Sequence, residues 1–390
     1  MSTSGELVRE DRENAGAEVT YVELFFDLIF VFAVTQISHS LLHHLTPMGA
    51  IETLILFLAV WWVWVDTAWA TNWLDPDRRP VRFMLFGMMA AGMMMAVSLP
   101  RAFGEAGLIF ASAHVAMQLG RTAFTWYALE DAHERRNFLR ILLWKSVAAP
   151  FWIIGGLADG AARPMLWALA LAIESTGPAL YFRVPFLGRS RPEDWRVEGR
   201  HMAERCALFL IIALGESVLV TGATFAKLEW DQANSAAFAA AFAATLLMWW
   251  VYFDSGAERG ERHMATTEQP GLMARLGYTY LHALIIAGVV ISATADEVLL
   301  THPEDTPRLA TMLLLVGGPA VFLAGCGWFK SIALGWFPLS HRIGLGLLAA
   351  LAALGWLLPL LALALGSVMA LAVVAVWERL ALRRPSLEKV

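Results

Sequence analysis

The sequence predicts an all-α, polytopic membrane protein with about twelve transmembrane helices arranged as two parallel six-helix repeats. Three observations lead there: an apolar composition, apolar stretches of span length along most of the chain, and a lopsided distribution of Lys and Arg between them. Of the 390 residues, 58% are hydrophobic and only 16% are Asp, Glu, Lys or Arg, against roughly 25% charged in a soluble domain. Mean hydropathy is +0.57. This apolarity and the 17 Trp exclude a disordered chain, and a net charge of -5 with 29 Lys and Arg argues against a nucleic-acid partner. Cys206 and Cys326 both lie in apolar runs, without a disulfide framework or a zinc-ligand spacing. The first 20 residues are polar and mixed in charge, unlike a cleaved signal peptide, so the first apolar segment serves as the insertion signal.

Stretches of about 20 apolar residues cross roughly 30 Å of hydrocarbon as helices. After a cytoplasmic N-tail (1–20), six fall at 21–45, 49–73, 82–103, 106–130, 138–158 and 163–183, the first repeat. A polar, basic, Pro-containing linker covers 184–200. Six more follow at 201–226, 233–256, 275–297, 308–330, 340–357 and 360–381, with a C-tail at 382–390. The run from Ile343 to Trp377 carries no charge and exceeds one ordinary span, so Gly355 and Pro359 mark a turn between two helices. With both termini cytoplasmic, 22 of the 29 Lys and Arg fall in cytoplasmic segments, four in opposite loops (Arg101, Arg163, Lys227, Arg308) and three inside spans. That asymmetry predicts an N-in, C-in protein of the cell (inner) membrane.

The repeat rests on a motif. Trp61-Trp62-Val63-Trp64-Val65-Asp66-Thr67 in the second span matches Trp249-Trp250-Val251-Tyr252-Phe253-Asp254-Ser255 in the eighth, with four of seven positions identical. Glu23 opens the first span as Glu204 opens the seventh, and Arg140 in the fifth corresponds to Arg342 in the eleventh. Parallel duplication of this kind is common among transporters.

Seven acids stand out inside the predicted spans: Glu23, Asp27, Asp66, Glu174, Glu204, Glu216 and Asp254. Arg121, Lys145 and Arg205 accompany them as bases. A charge at the bilayer centre costs about 2.5–3.5 kcal/mol on insertion scales, so four acids without a base must be protonated, reach water or hold a cation. Glu23 and Asp27 share a helix face by their i,i+4 spacing. His201, Arg205 and Glu216 fall within about 60° of one another around the seventh helix, and Gly215 there predicts a close helix neighbour. A structural salt bridge and an ion relay both fit that stripe. His39, His43 and His44 have chelating spacing but lack further ligands nearby, and the methionines of the third span suit apolar packing; no metal or other cofactor is expected. No soluble-type catalytic motif occurs and the loops are short, so an enzyme would need its chemistry within the bundle.

Tyr21-Val-Glu-Leu-Phe-Phe-Asp-Leu-Ile-Phe-Val-Phe-Ala-Val-Thr-Gln-Ile-Ser-His39, together with His201-x-x-Glu204-Arg205-x-x-Leu-Phe-x-Ile-Ile-x-Leu-Gly-Glu216-Ser217, resembles the bacterial low temperature requirement A (LtrA) family over essentially the whole chain. The resemblance implies a multi-pass bacterial membrane protein and marks Glu23, Asp27, His39, His201, Glu204, Arg205, Glu216 and Ser217 as family-motif positions without assigned roles. Phe25-Phe26-Asp27 is loosely similar to the Phe-Ser-Asp motif of the lysosomal potassium-channel family, but Phe26 replaces the serine and the second half has no Asp near Ala207-Leu208.

The leading expectation is a transporter or channel for a small solute or ion, cation- or proton-linked. Asp66 and Asp254 would line its cytoplasmic mouth, Glu216 would sit further along the pathway, and Arg121 and Arg205 would tune the carboxylates. The alternative is a membrane sensor or scaffold whose buried charges only pack the bundle, and an intramembrane enzyme comes third. The expected partners are the lipid bilayer and an unidentified small solute or ion, with a homo-oligomer left open.

Overall fold

The computed structural model describes residues 7–9, 19–191, 199–254 and 275–382. Most of the N-tail, the linker segment 192–198, Ser255 of the second motif and the C-tail beyond 382 lie outside the described residues.

Twelve α-helices occupy the described chain: α1 Tyr21–His43, α2 Pro47–Trp73, α3 Arg79–Ser98, α4 Gly107–Ala128, α5 Ala132–Leu157, α6 Ala162–Ala179, α7 Gly199–Phe225, α8 Gln232–Phe253, α9 His282–Thr301, α10 Leu309–Leu334, α11 Leu339–Leu354 and α12 Leu360–Leu382. Each matches one expected span. No strand occurs among the described residues, only the isolated bridges Val8–Leu74 and Val184–Gly188. Local chemistry sets the ends. Thr20 and Glu23 form a capping box on α1, Thr46 accepts from the Gly49 N–H at the start of α2, and Asp131 and Asp231 cap α5 and α8. A turn of π-helix at Arg275–Leu281 leads into α9, and Gly355–Leu357 form a 3-10 turn before α12, where the charge-free run was expected to break.

Ten of these helices are long and apolar enough to cross a membrane. The exceptions are α4 and α6, which corrects the expectation that all twelve read as spans. The reason is a polar stripe, His114, Gln118, Arg121 and Thr125, buried along one face of α4, and the buried Glu174 of α6. Elsewhere large apolar side chains face outward, among them Phe83, Leu219 and Leu357. Such surfaces suit hydrocarbon, and helices satisfy their own backbone there. The chain is a multi-pass membrane protein in contact with lipid.

The described residues divide into two units, one running to Leu208 with Arg275, the other from Phe209 onward. In unit 1, α1 packs on α2 and α3, α3 on α4, α4 on α5, α5 on α6, and α2 on both α4 and α6. In unit 2, α9 packs on α10, α10 on α11, α11 on α12, and α8 on α9, α10 and α12. The α9–α10 pair is close because a Cβ on Gly288 would come within 2.5 Å of the Phe322 backbone nitrogen, the use of glycine that lets membrane helices meet at their backbones. Gly215 does not act in this way: nothing lies within 4 Å of where its Cβ would be.

Candidate functional site

The first part of α7 carries His201 and Arg205, one turn apart on one face, into a polar cluster of unit 1. Arg205 forks across two acids of α1: Nη1 lies 3.0 Å from Glu23 Oε1 and Nη2 lies 2.6 Å from Asp27 Oδ1. All three side chains are 0% exposed, so the guanidinium neutralises carboxylates that lipid and protein would otherwise leave unsolvated. Trp64 donates its indole N–H to Asp27 Oδ1 at 2.7 Å. The Thr20 N–H and hydroxyl donate to Glu23 Oε2, so this acid serves both the helix cap and the ion pair.

His201 completes the cluster. Its Nδ1 lies 3.2 Å from Asn72 Nδ2, and its Nε2 lies 2.9 Å from Glu23 Oε1 and 3.2 Å from Arg9 Nη2. Arg9, from the N-terminal segment, closes the end of the cluster. Its backbone N–H donates to Trp73 O and its Nε to Thr71 O, both at 2.9 Å, while Nη2 lies 3.4 Å from Glu23 Oε2. The neighbouring Leu7 and Val8 pack against the side chains that close this end of unit 1, Leu7 beside Leu74 and Val8 beside Trp73 and Phe138. Two polar atoms remain unsatisfied in this arrangement: Asp27 Oδ2 and Arg205 Nε are buried without a hydrogen-bond partner.

A second network joins α2, α4, α5 and α6. Lys145 Nζ lies 2.6 Å from Asp66 Oδ2 and 3.6 Å from Glu174 Oε2. Arg121 reaches Asp66 Oδ2 at 3.4 Å and donates to Val63 O at 3.2 Å, to Thr67 Oγ1 at 3.1 Å, and to Gln118 Oε1. Glu174 also accepts from Gln118 Nε2 at 3.1 Å and Trp152 Nε1 at 3.2 Å, with His114 Nε2 3.3 Å away. The Lys145 ammonium lies 5.6 Å from the Trp62 ring centre.

The structure thus brings Glu23, Asp27, His201 and Arg205 together, and Asp66 with Arg121. Because Glu23 and Asp27 share one Arg while Asp66 and Glu174 share Lys145, the three bases serve four of the seven acids and leave three, not four, without an ion pair among the described residues. Other predicted site residues stand apart. Glu204 and Glu216 are half-buried and have no ion pair among the described residues. The expected stripe of His201, Arg205 and Glu216 is therefore not one cluster. Asp254 is an exposed residue at the C-terminal cap of α8. His39 is half-buried, about 18 Å along α1 from Asp27 at 1.5 Å per residue. Among the described residues no group of three or more His, Cys, Asp or Glu converges as a metal site.

Unit 2 holds three groups that the sequence reading passed over. Lys330 Nζ lies 2.6 Å from Glu378 Oε2 and donates to Val251 O at 3.0 Å, with His341 Nδ1 3.3 Å from Glu378 Oε1. The Tyr252 hydroxyl donates to His282 Nε2 at 2.7 Å, because His282 Nδ1 gives its hydrogen to Gly277 O at 2.8 Å. Asp296, only 6% exposed, is approached by Ser217 Oγ at 3.5 Å and by no base among the described residues. All three sit near helix ends, where an acid or base reads as the edge of a loop. The signal that could have found Asp296 is its i,i+4 partner Ser292 on an otherwise apolar helix.

Comparison with known proteins finds relatives along most of the chain. The family model described as "Bacterial low temperature requirement A protein (LtrA)" matches residues 18–376. Over 369 residues the chain is 39% identical to an uncharacterized protein of Rhizobium meliloti (strain 1021), covering 94% of this chain and 90% of that protein. No solved structure matches the chain. With its first motif folded around Glu23 and Asp27, its second around His201 and Arg205, and the family model covering nearly its full length, the chain belongs to the bacterial low temperature requirement A family.

Proposed function

We propose that the protein is a transporter or channel for a small solute or ion, cation- or proton-linked, built from two parallel six-helix repeats in the cell membrane with both termini cytoplasmic. One observation carries the repeat. Val63 and Val251 occupy the same position of the duplicated motif, and each carbonyl accepts from a cation on the fourth helix of its half, Arg121 on α4 and Lys330 on α10. A chance likeness between two Trp-rich helix ends does not supply matching cations from matching helices. The sixth helices add to this: Glu174 on α6 and Glu378 on α12 each lie beside a base of the fifth helix, Lys145 at 3.6 Å and His341 at 3.3 Å. Duplicated bundles of this kind move as bodies in many transporters, and the embedded charge is what an ion pathway requires.

The proposed pathway residues now have distinct parts. Glu23, Asp27, His201 and Arg205 brace α1 against α7, and Asp66 and Arg121 brace α2 against α4 and α5. Ser217 is the family-motif residue left facing a carboxyl without a base, while His39, Glu204, Glu216 and Asp254 would line water-facing approaches.

Flux is the direct test. Purified protein in liposomes with an imposed sodium, potassium or proton gradient should dissipate at least one of them faster than protein-free liposomes. Equal rates for all three would overturn this reading. They would favour the sensor or scaffold alternative, which one observation supports: the Glu23–Asp27–Arg205 group is closed and fully buried. Orientation has its own test. Both native cysteines are buried, so Met48→Cys should react with an impermeant maleimide in intact cells and Asp77→Cys only in opened ones; the reverse pattern would invert the topology.

A further inference from the structure

The geometry points to a binding site for a small monovalent cation formed by Asp296 of α9, Ser217 of α7 and Thr245 of α8. Three helices of unit 2 converge there, each contributing one side-chain oxygen. Ser217 Oγ lies 3.5 Å from Asp296 Oδ2 and 3.5 Å from Thr245 Oγ1. Hydroxyl-to-carboxylate hydrogen bonds close to about 2.5–2.7 Å, so these oxygens are held apart. Oxygens bound at right angles to one cation at about 2.3–2.6 Å stand about 3.3–3.7 Å from each other, which is the spacing found.

The hydrogens are arranged to leave lone pairs free. Thr245 Oγ1 donates to Ala241 O at 3.3 Å, so its lone pairs are what it offers Ser217. Ser217 has one hydrogen and cannot satisfy both neighbours. One carboxylate among neutral hydroxyls sets the charge of the ligand at one positive unit. A divalent ion would leave an excess positive charge in an apolar bundle.

The site is a property of the second half alone. Among the described residues of the first half, each buried acid already has a protein cation, Arg205 for Glu23 and Asp27 and Lys145 for Glu174, and the half-buried Asp66 shares that Lys145. In the proposed N-in orientation, α9 runs outward and Asp296 lies five residues before its end, so the cation would be met from the outer side. That consequence rests on the transport reading; binding itself does not.

The full-length protein in detergent tests it, with sodium as the probe and choline replacing it at constant ionic strength. A ligand that binds only the folded state raises the melting temperature in a saturable way. Sodium should do so for the wild type. Asp296→Asn, which keeps the side-chain shape, should remove the response. Ser217→Ala should raise the half-saturating concentration by about tenfold, the order seen when a metal site loses a supporting polar group. Identical melts in sodium and choline, or an Asp296→Asn protein that still responds, would overturn the site, as would a response to pH alone that Asp296→Asn abolishes. If sodium binds but no gradient dissipates in liposomes, the transport reading fails and the site stands. If flux persists unchanged in Asp296→Asn and no sodium response exists, the site fails and transport stands.

Discussion

The two copies of the aromatic motif have been put to different use. In unit 1, Trp61, Trp62 and Trp64 are buried at 3%, 3% and 0% exposure, and the motif ends in an Asp66 gripped by Lys145 and Arg121. In unit 2, Trp249 is 49% exposed and the motif ends in an exposed Asp254. Trp64 gives its N–H to an acid, Asp27; its counterpart Tyr252 gives its O–H to a neutral His282. What stayed common is the Val63 and Val251 carbonyls, each bound by a cation. A backbone acceptor does not depend on the side chains around it, because every residue type supplies the same carbonyl. The ion pairs around them differ: unit 1 is braced by Arg205 and Lys145, while unit 2 holds in Asp296 a carboxyl without a base among the described residues.

Breaking each brace measures that difference. Arg205→Met should have the largest effect, because it leaves Glu23 and Asp27 buried without their shared cation; removing one partner of a buried pair costs about 3–5 kcal/mol, seen as a large drop in melting temperature. Lys330→Met in unit 2 should cost less, about 1–3 kcal/mol, since Glu378 is 12% exposed and keeps Ser340 and His341 beside it. A loss equal to that of Arg205→Met would mean that the halves are braced alike. Arg9→Ala should be smaller again, about 1 kcal/mol, because its pair with Glu23 is partly solvated; limited proteolysis should then cut the N-terminal segment faster. Asp254→Asn should leave the melting temperature unchanged, whereas Asp66→Asn should lower it. Equal losses for those two would show that the motif Asp does the same work in both halves.

Much of the fold was legible. All twelve helices lie where apolar runs of span length lie, and the turn after Gly355 falls where the charge-free run was too long for one helix. The exceptions have a clear cause. The polar stripe on α4 and Glu174 on α6 lower the apolarity of two helices that burial inside unit 1 makes tolerable. For the site, the family motifs pointed to Glu23, Asp27, His201 and Arg205, and the structure brings all four together. Counting charges gave the right excess of acids but not which ones lack a base, because a count treats one Arg as one partner while its fork reaches two carboxylates. It also passed over Lys330, Glu378 and Asp296. Helix-end position says little about burial when a neighbouring helix covers that end.

The amino-acid sequence by itself determined the class of protein, the helices and their order. Those follow from local composition: a stretch too apolar for water becomes a helix in lipid whatever its neighbours are. Only the tertiary structure decided which charges neutralise one another, since Glu23 meets Arg205 across 182 residues and Asp66 meets Lys145 across 79. It also decided that Asp296 meets one hydroxyl, that of Ser217, and no base among the described residues. Pairing is a matter of distances of about 3 Å between side chains, and packing sets those distances.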